Sequence, residues 1–206
     1  MLPLAFSGPP LYHILFRVIF YLWLGLEIIA SNLNRFRRAP NTLSTSIRDR
    51  KDRGSLALII ILWTLAILLD LTLSYHLQSA AIPFHRTALF FTGLGLILFG
   101  VAFRWYAILT LGQYFTFDVE VHRDQPIIEA GPYRYIRHPS YTGALISLFG
   151  YGLALGNWAG LLVAMACLSI AYAYRIPVEE SALTAALGQP YIEYRKRTHR
   201  LIPFVL

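Results

Sequence analysis

Charge is what this sequence has least of. Only 14% of its 206 residues are Asp, Glu, Lys or Arg, where a soluble domain carries about a quarter. That scarcity excludes an ordinary water-soluble globular domain. Cysteine is scarcer still: Cys167 stands alone in an apolar run, so no disulfide framework can form, and the redox compartment stays open. Metal-ligand spacing is also missing. The polar segment 112–139 holds Asp118, Glu120, His122, Arg123, Asp124, Gln125 and Glu129, but no tight His/Cys/carboxylate cluster, so no metal site is expected. The N-terminus lacks a basic start, and its first apolar run is already span-length, so no signal peptide is expected.

What is abundant is apolar: 56% of the chain is hydrophobic. Long apolar runs predict an all-α, polytopic membrane protein with about five transmembrane helices. The runs lie at about 11–30, 56–75, 87–109, 141–155 and 158–174. The last two are joined only by Gly156-Asn157, which predicts a tight antiparallel hairpin. Each arm is short against the ~20 residues an upright span needs. Gly93, Gly95 and Gly100 in the third run would allow close helix packing. Arg17 and Glu27 in the first run, and Arg104 in the third, lie near span ends, where snorkelling is cheap. Asp70 lies inside the second run, as a functional carboxylate or as an interfacial or helix-paired one.

A net charge of +7 could suit nucleic acid, but the cations cluster beside spans. The loop 31–55 carries Arg35, Arg37, Arg38, Arg48, Arg50, Lys51 and Arg53 against Asp49 and Asp52. That placement fits the positive-inside rule and anionic lipid headgroups. No nucleic-acid partner and no obligate protein partner are expected. With the basic loop, the central polar segment and the basic tail all cytoplasmic, the N-terminus falls outside. Two parts are expected: a three-span region over 1–110, and a chemical core over 111–206.

The richest stretch is Gly131-Pro132-Tyr133-Arg134-Tyr135-Ile136-Arg137-His138-Pro139-Ser140-Tyr141-Thr142-Gly143. Its prolines predict a short helix from Pro132, a break near Arg137-His138, and a long helix from Pro139. A juxtamembrane turn with Tyr and Arg anchors explains it equally well. A second polar block, from Arg175 to Arg200, follows the hairpin, so the two blocks should meet at one membrane face. A helical pattern there runs to Leu187, stops at Gly188 and restarts at Pro190. Arg175 and Glu179, four apart, share a helix face, as a surface ion pair or as two groups aimed into one pocket.

Together the two blocks resemble the isoprenylcysteine carboxyl methyltransferases. The likeness covers the C-terminal half, from Gly112 onward, and includes Glu179-Glu180 and the run Leu187-Gly188-Gln189-Pro190-Tyr191-Ile192-Glu193-Tyr194 ending in Leu201-Ile202-Pro203. It implies a cytoplasmic pocket for S-adenosyl-L-methionine. Gln125, Pro126, Ile127, Ile128 and Tyr133 would line it. His138, Pro139, Ser140 and Tyr141 would form the turn that holds the donor, and Glu179 would accept hydrogen bonds from it. Arg175 would hold the carboxylate of a lipophilic acceptor, such as a prenylcysteine, arriving from the bilayer of a bacterial plasma membrane or endoplasmic reticulum. One departure stands out: the family reads His-x-Leu-Val where this chain has Gln125 to Ile128. Asp118 falls at another donor-contacting position.

The alternatives are a lipid or small-molecule amine or hydroxyl acceptor, an NADPH-dependent sterol-type reductase, and a non-catalytic membrane scaffold. An amine would need a base, for which His138, Tyr141 and Glu180 are candidates. Against a reductase, Val178-Glu179-Glu180-Ser181 lacks the Cys- and Lys-rich segment expected there.

Overall fold

The computed structural model describes residues 1–37, 54–116 and 125–202, without the side chains of 33–37. The basic-loop residues Arg38, Arg48, Asp49, Arg50, Lys51, Asp52 and Arg53 lie outside the described residues, as do Asp118, Glu120, His122, Arg123, Asp124 and Pro203. Among the described residues there are seven α-helices and no strand: α1 (Leu4–Ser7), α2 (Pro10–Arg37), α3 (Ser55–His76), α4 (Arg86–Leu111), α5 (Pro139–Leu155), α6 (Trp158–Leu187) and α7 (Gln189–Arg197).

Four of these, α2, α3, α4 and α6, are long and apolar enough to cross a membrane. Their outward faces carry bare aliphatics, such as Val18 at 59% exposure and Ile61 at 61%. Lipid, not water, suits such a surface. The protein is a multi-pass integral membrane protein. The fourth apolar run, 141–155, is helical too, but α5 has only 17 residues, about 25 Å at 1.5 Å per residue. That falls short of a ~30 Å hydrocarbon core. Most of α5 is buried against its neighbours, so it serves as the bundle's central post. Helix α6, with 30 residues, reaches about 45 Å and overshoots the same core.

Helix α5 lies along α4, and α6 lies along α3. The first pairing is backbone-close. A Cβ on Gly93 would stand 2.5 Å from the Ala154 nitrogen, and one on Gly143 would stand 2.7 Å from the Gly100 carbonyl. A Cβ on Gly95 would meet nothing within 4 Å, so two of the three glycines expected to permit packing, Gly93 and Gly100, do so. Aromatic rings fill the gap to α2, where Phe16, Phe20 and Trp23 gather on Tyr151 at centroid distances of 5.6 to 5.9 Å.

The hairpin turn is built by two residues. Gly156 adopts a left-handed φ of +67°, and its N–H reaches the Gly152 and Leu153 carbonyls, closing α5 as glycine does at helix ends. Asn157 caps α6 by accepting from the Gly160 N–H at 3.1 Å, and its amide donates at 2.9 Å to the carbonyl of Leu77, the residue that ends α3. Asp70 lies close by, wholly buried, accepting from Ser74 at 3.2 Å. A Cβ on Gly152 would meet its other oxygen at 2.7 Å. Asp70 is therefore buried where α3 packs on Gly152 of α5 and Gly160 of α6, bonded to Ser74 of its own helix. Glu27 and Arg104 do not snorkel: they pair at 3.0 Å, with Arg104 only 5% exposed.

Candidate active site

The first polar block folds as expected. Residues Gly131–Arg134 form a 3-10 turn, the chain breaks at 135–138, and α5 starts with Pro139 in its first turn, where a missing N–H goes unnoticed. The second block rides on α6, which runs unbroken through Pro177 to Leu187. Gly188 ends it with a φ of +64°, and α7 begins at once. The overshoot of α6 carries Arg175, Glu179 and Glu180 to the level of the break before α5. The two blocks then lock backbone to backbone. The Arg137 N–H donates to the His199 carbonyl at 2.8 Å, and the His138 N–H donates to that of Arg200 at 3.0 Å.

Between them lies an open-mouthed cavity, about 1140 Å³ when the solvent in its mouth is counted. Gln125, Pro126, Ile127, Ile128, Tyr133, His138, Ser140, Tyr141 and Glu179 all line it. Pro139 and Arg175 are not on its wall: Pro139 is buried in the first turn of α5, and Arg175, 2% exposed, stands behind Tyr141. Asp118 lies outside the described residues.

Tyr141 is the meeting point. Its hydroxyl donates to the Glu179 carboxylate at 2.7 Å and accepts from Arg175 Nε at 3.4 Å. Its ring lies between His138 and Tyr172, stacked on both, at centroid distances of 5.5 and 4.4 Å. Arg175 Nε stands 4.0 Å from Glu179, so the pair four residues apart does share a face. Glu179 keeps 29% of its side chain exposed and can accept further hydrogen bonds.

Behind the wall sits a cationic clamp. Glu180, 2% exposed, takes Arg137 Nε at 2.8 Å, Arg200 at 3.4 Å and Arg195 at 3.5 Å. Arg137 also donates to the Thr198 carbonyl and to that of Arg195. His138 Nε2 approaches Glu180 to 3.5 Å. Burial, with Glu179 nearby, pushes the Tyr133 phenol above its ordinary value. Burial raises Tyr191 and Tyr194 likewise, so all three stay neutral. The Tyr194 hydroxyl donates to the Tyr133 carbonyl at 2.7 Å, fixing the turn from below.

Several lining residues were not anticipated from the sequence: Arg104, Tyr172, Tyr191 and Tyr194, with Leu56 and Ile59 from α3. Tyr172 stands three residues before Arg175, and Tyr191 three before Tyr194. Both pairs share a helix face, which is a legible signal. Nothing local marks Leu56 or Ile59, because their place depends on how α3 meets α6.

The profile of the isoprenylcysteine carboxyl methyltransferase (ICMT) family matches residues 93–185. Protein-S-isoprenylcysteine O-methyltransferase B of Arabidopsis thaliana is 35% identical over 115 residues, 55% of this chain and 58% of that protein. The enzyme of the same type from Schizosaccharomyces pombe is 34% identical over 116 residues, 55% of this chain and 49% of that one. The chain thus spans about half the length of these curated relatives. The solved structure of a eukaryotic intramembrane Ras methyltransferase, itself an isoprenylcysteine carboxyl methyltransferase, superposes with a TM-score of 0.59. Identity there is 20%, with 98% of this chain and 70% of that one covered, which speaks for the fold alone. Residues 93–185 of this chain thus resemble the isoprenylcysteine carboxyl methyltransferase family, and they sit in a multi-pass helical membrane fold that a solved methyltransferase shares.

Proposed function

We propose that this protein transfers a methyl group from S-adenosyl-L-methionine to the carboxylate of a lipophilic acceptor such as a prenylcysteine. The carrying observation is that Glu179, Tyr141 and Arg175, from opposite ends of the hairpin, form one hydrogen-bonded group, with Glu179 and Tyr141 on the wall of a single cavity and Arg175 directly behind Tyr141. The cavity's chemistry fits the donor. Glu179 offers a carboxylate to hydroxyls or to an ammonium, and an aromatic ring such as that of Tyr133 on the wall suits a cation beside its face. Gln125 to Ile128, Tyr133, His138, Ser140, Tyr141 and Glu179 are the residues that would hold it, with Pro139 setting the turn. When bound, S-adenosylmethionine supplies a sulfonium-borne methyl as electrophile.

The chain's own task is then placement. A carboxylate acceptor is ionised at neutral pH, so no base is needed, and Arg175 serves to orient it. Holding two reactants in line can supply roughly 7–11 kcal/mol in favourable cases. The walls of Leu56, Ile59 and Leu183 keep water away, which strengthens attraction between opposite charges. An amine acceptor would need a free base. Of the three candidates, Glu180 is paired with three guanidinium groups and the Tyr141 hydroxyl donates to Glu179, which leaves His138 on the wall as the base an amine would use; a carboxylate needs none. In this reading residues 111–206 hold the chemistry and 1–110 form the membrane platform, lending Leu56, Ile59 and Arg104 to the cavity. The pocket faces the cytoplasm, and the acceptor arrives from the bilayer.

Purified protein should bind labelled S-adenosylhomocysteine and not NADPH. With a methyl-labelled donor and N-acetyl-S-farnesylcysteine it should yield a base-labile label, as an ester does. NADPH binding, or base-stable label on phosphatidylethanolamine instead, would defeat the proposal.

A further inference from the structure

We propose that Ser55, the first residue of α3, is a positioning residue for methyl transfer that acts through Arg175. The inference rests on the carboxyl-methylation reading above. The Ser55 hydroxyl accepts from Arg175 at 2.6 Å. The two residues lie 120 apart in sequence, and both are buried, at 0% and 2% exposure. A residue in the first turn of a helix has its backbone N–H free of the helix's own ladder, and at a solvated helix end it faces water. Ser55 instead follows Gly54, whose φ of +75° turns the chain sharply into α3, and its side chain ends against a cation from α6.

A guanidinium is a planar fork with fixed donor directions. Arg175 grows from α6 and is gripped by Ser55 on α3 and by the Tyr141 hydroxyl on α5. Contacts from two other helices set the plane of the group. A bidentate carboxylate contact depends on that plane far more than a point charge would. The same end of α3 also forms apolar wall: Leu56 and Ile59 line the cavity, and Ile59 stands one turn on from Ser55, on the same face. Charge orientation and the surface for a lipophilic chain therefore come from one helix end. Ser55, Leu56 and Ile59 all lie outside residues 93–185, the span of the family match. The acceptor side of the site is completed by chain beyond that match.

The test uses the full chain in detergent with N-acetyl-S-farnesylcysteine as acceptor. Ser55→Ala should lower kcat/KM for the acceptor about tenfold or more, the scale of a hydrogen bond to a charged group. Affinity for S-adenosylhomocysteine should stay within about twofold, and Ser55→Thr, which keeps the hydroxyl, should restore most of the loss. In an Arg175→Lys background, Ser55→Ala should cost less than about twofold, because the residue acts through the fork it no longer seats. Full additivity there, or unchanged acceptor kinetics in the single variant, would overturn the assignment. So would an equal loss of S-adenosylhomocysteine affinity, which marks a general folding role. If the wild-type chain methylates no carboxylate at all, the functional reading fails first and takes this inference with it.

Discussion

At the level of single residues, Tyr141 answers to three neighbours at once. Its ring is held between His138 and Tyr172, and its hydroxyl sits between a carboxylate and a guanidinium. Tyr141→Phe keeps the stack and removes only the hydroxyl. Because Glu179 is partly exposed, water replaces the lost donor. The cost should be about 1 kcal/mol, or roughly a fivefold weaker affinity for S-adenosylhomocysteine by titration calorimetry. Glu179→Ala removes the acceptor itself and should weaken binding more, by about tenfold or beyond. Arg175→Ala should abolish methylation of a carboxylate and leave that affinity nearly unchanged. A smaller effect from Glu179→Ala than from Tyr141→Phe would place the donor elsewhere. That Arg175 and Glu179 share a helix face was readable, since they are four apart on one helix. That Tyr141 bridges them was not, because it depends on the distance across the hairpin.

At the level of helices, the α4–α5 contact decides where the N-terminus of α5 stands, and with it His138, Ser140 and Tyr141. Arg104 reinforces that position by donating to the Ser140 carbonyl at 2.9 Å while paired with Glu27. The contact leaves no room for side chains. A Cβ on Gly100 would sit 2.5 Å from the Ser147 nitrogen and 2.6 Å from the Gly143 carbonyl, whereas one on Gly95 would meet nothing within 4 Å. Gly100→Ala should therefore destabilise by about 1–3 kcal/mol, the range for overpacking. It should lower the unfolding temperature in detergent and weaken S-adenosylhomocysteine binding as α5 shifts. Gly95→Ala should be neutral. Equal behaviour of the two would mean that the helices do not touch along this face. The sequence displays three glycines in one apolar run, and period alone does not say which two face the partner.

Across the whole molecule, the Glu180 clamp joins three distant segments: the turn at Arg137, the end of α6, and the tail at Arg195 and Arg200. Glu180→Ala would leave the buried Arg137 without its carboxylate. Removing one partner of a buried ion pair costs about 3–5 kcal/mol. The expected outcome is a lower unfolding temperature, with early proteolytic cleavage at the basic residues 195–197. Glu180→Gln should recover part of the stability through its carbonyl oxygen. Cleavage no faster than wild type would show that the tail is held by the backbone bonds at His199 and Arg200 alone. From sequence, Glu180 is one acid beside another. Only the approach of the tail separates it from Glu179, making one a clamp and the other part of the wall.

The amino-acid order by itself settled the membrane class, the five apolar helices, the break before Pro139 and the tight Gly156-Asn157 hairpin. Each follows from local causes: apolar run length, proline's missing N–H, and glycine's freedom at positive φ. It also marked nine residues that line the cavity, among them Tyr133, His138, Tyr141 and Glu179, through two compact polar blocks and the family resemblance they carry. Tertiary structure decided the rest. It set Arg175 behind Tyr141 and against Ser55, brought Leu56 and Ile59 to the cavity, buried Asp70, and paired Arg104 with Glu27. Those outcomes depend on which helix faces meet across long separations, and hydrophobic period is nearly silent about that where every face is apolar.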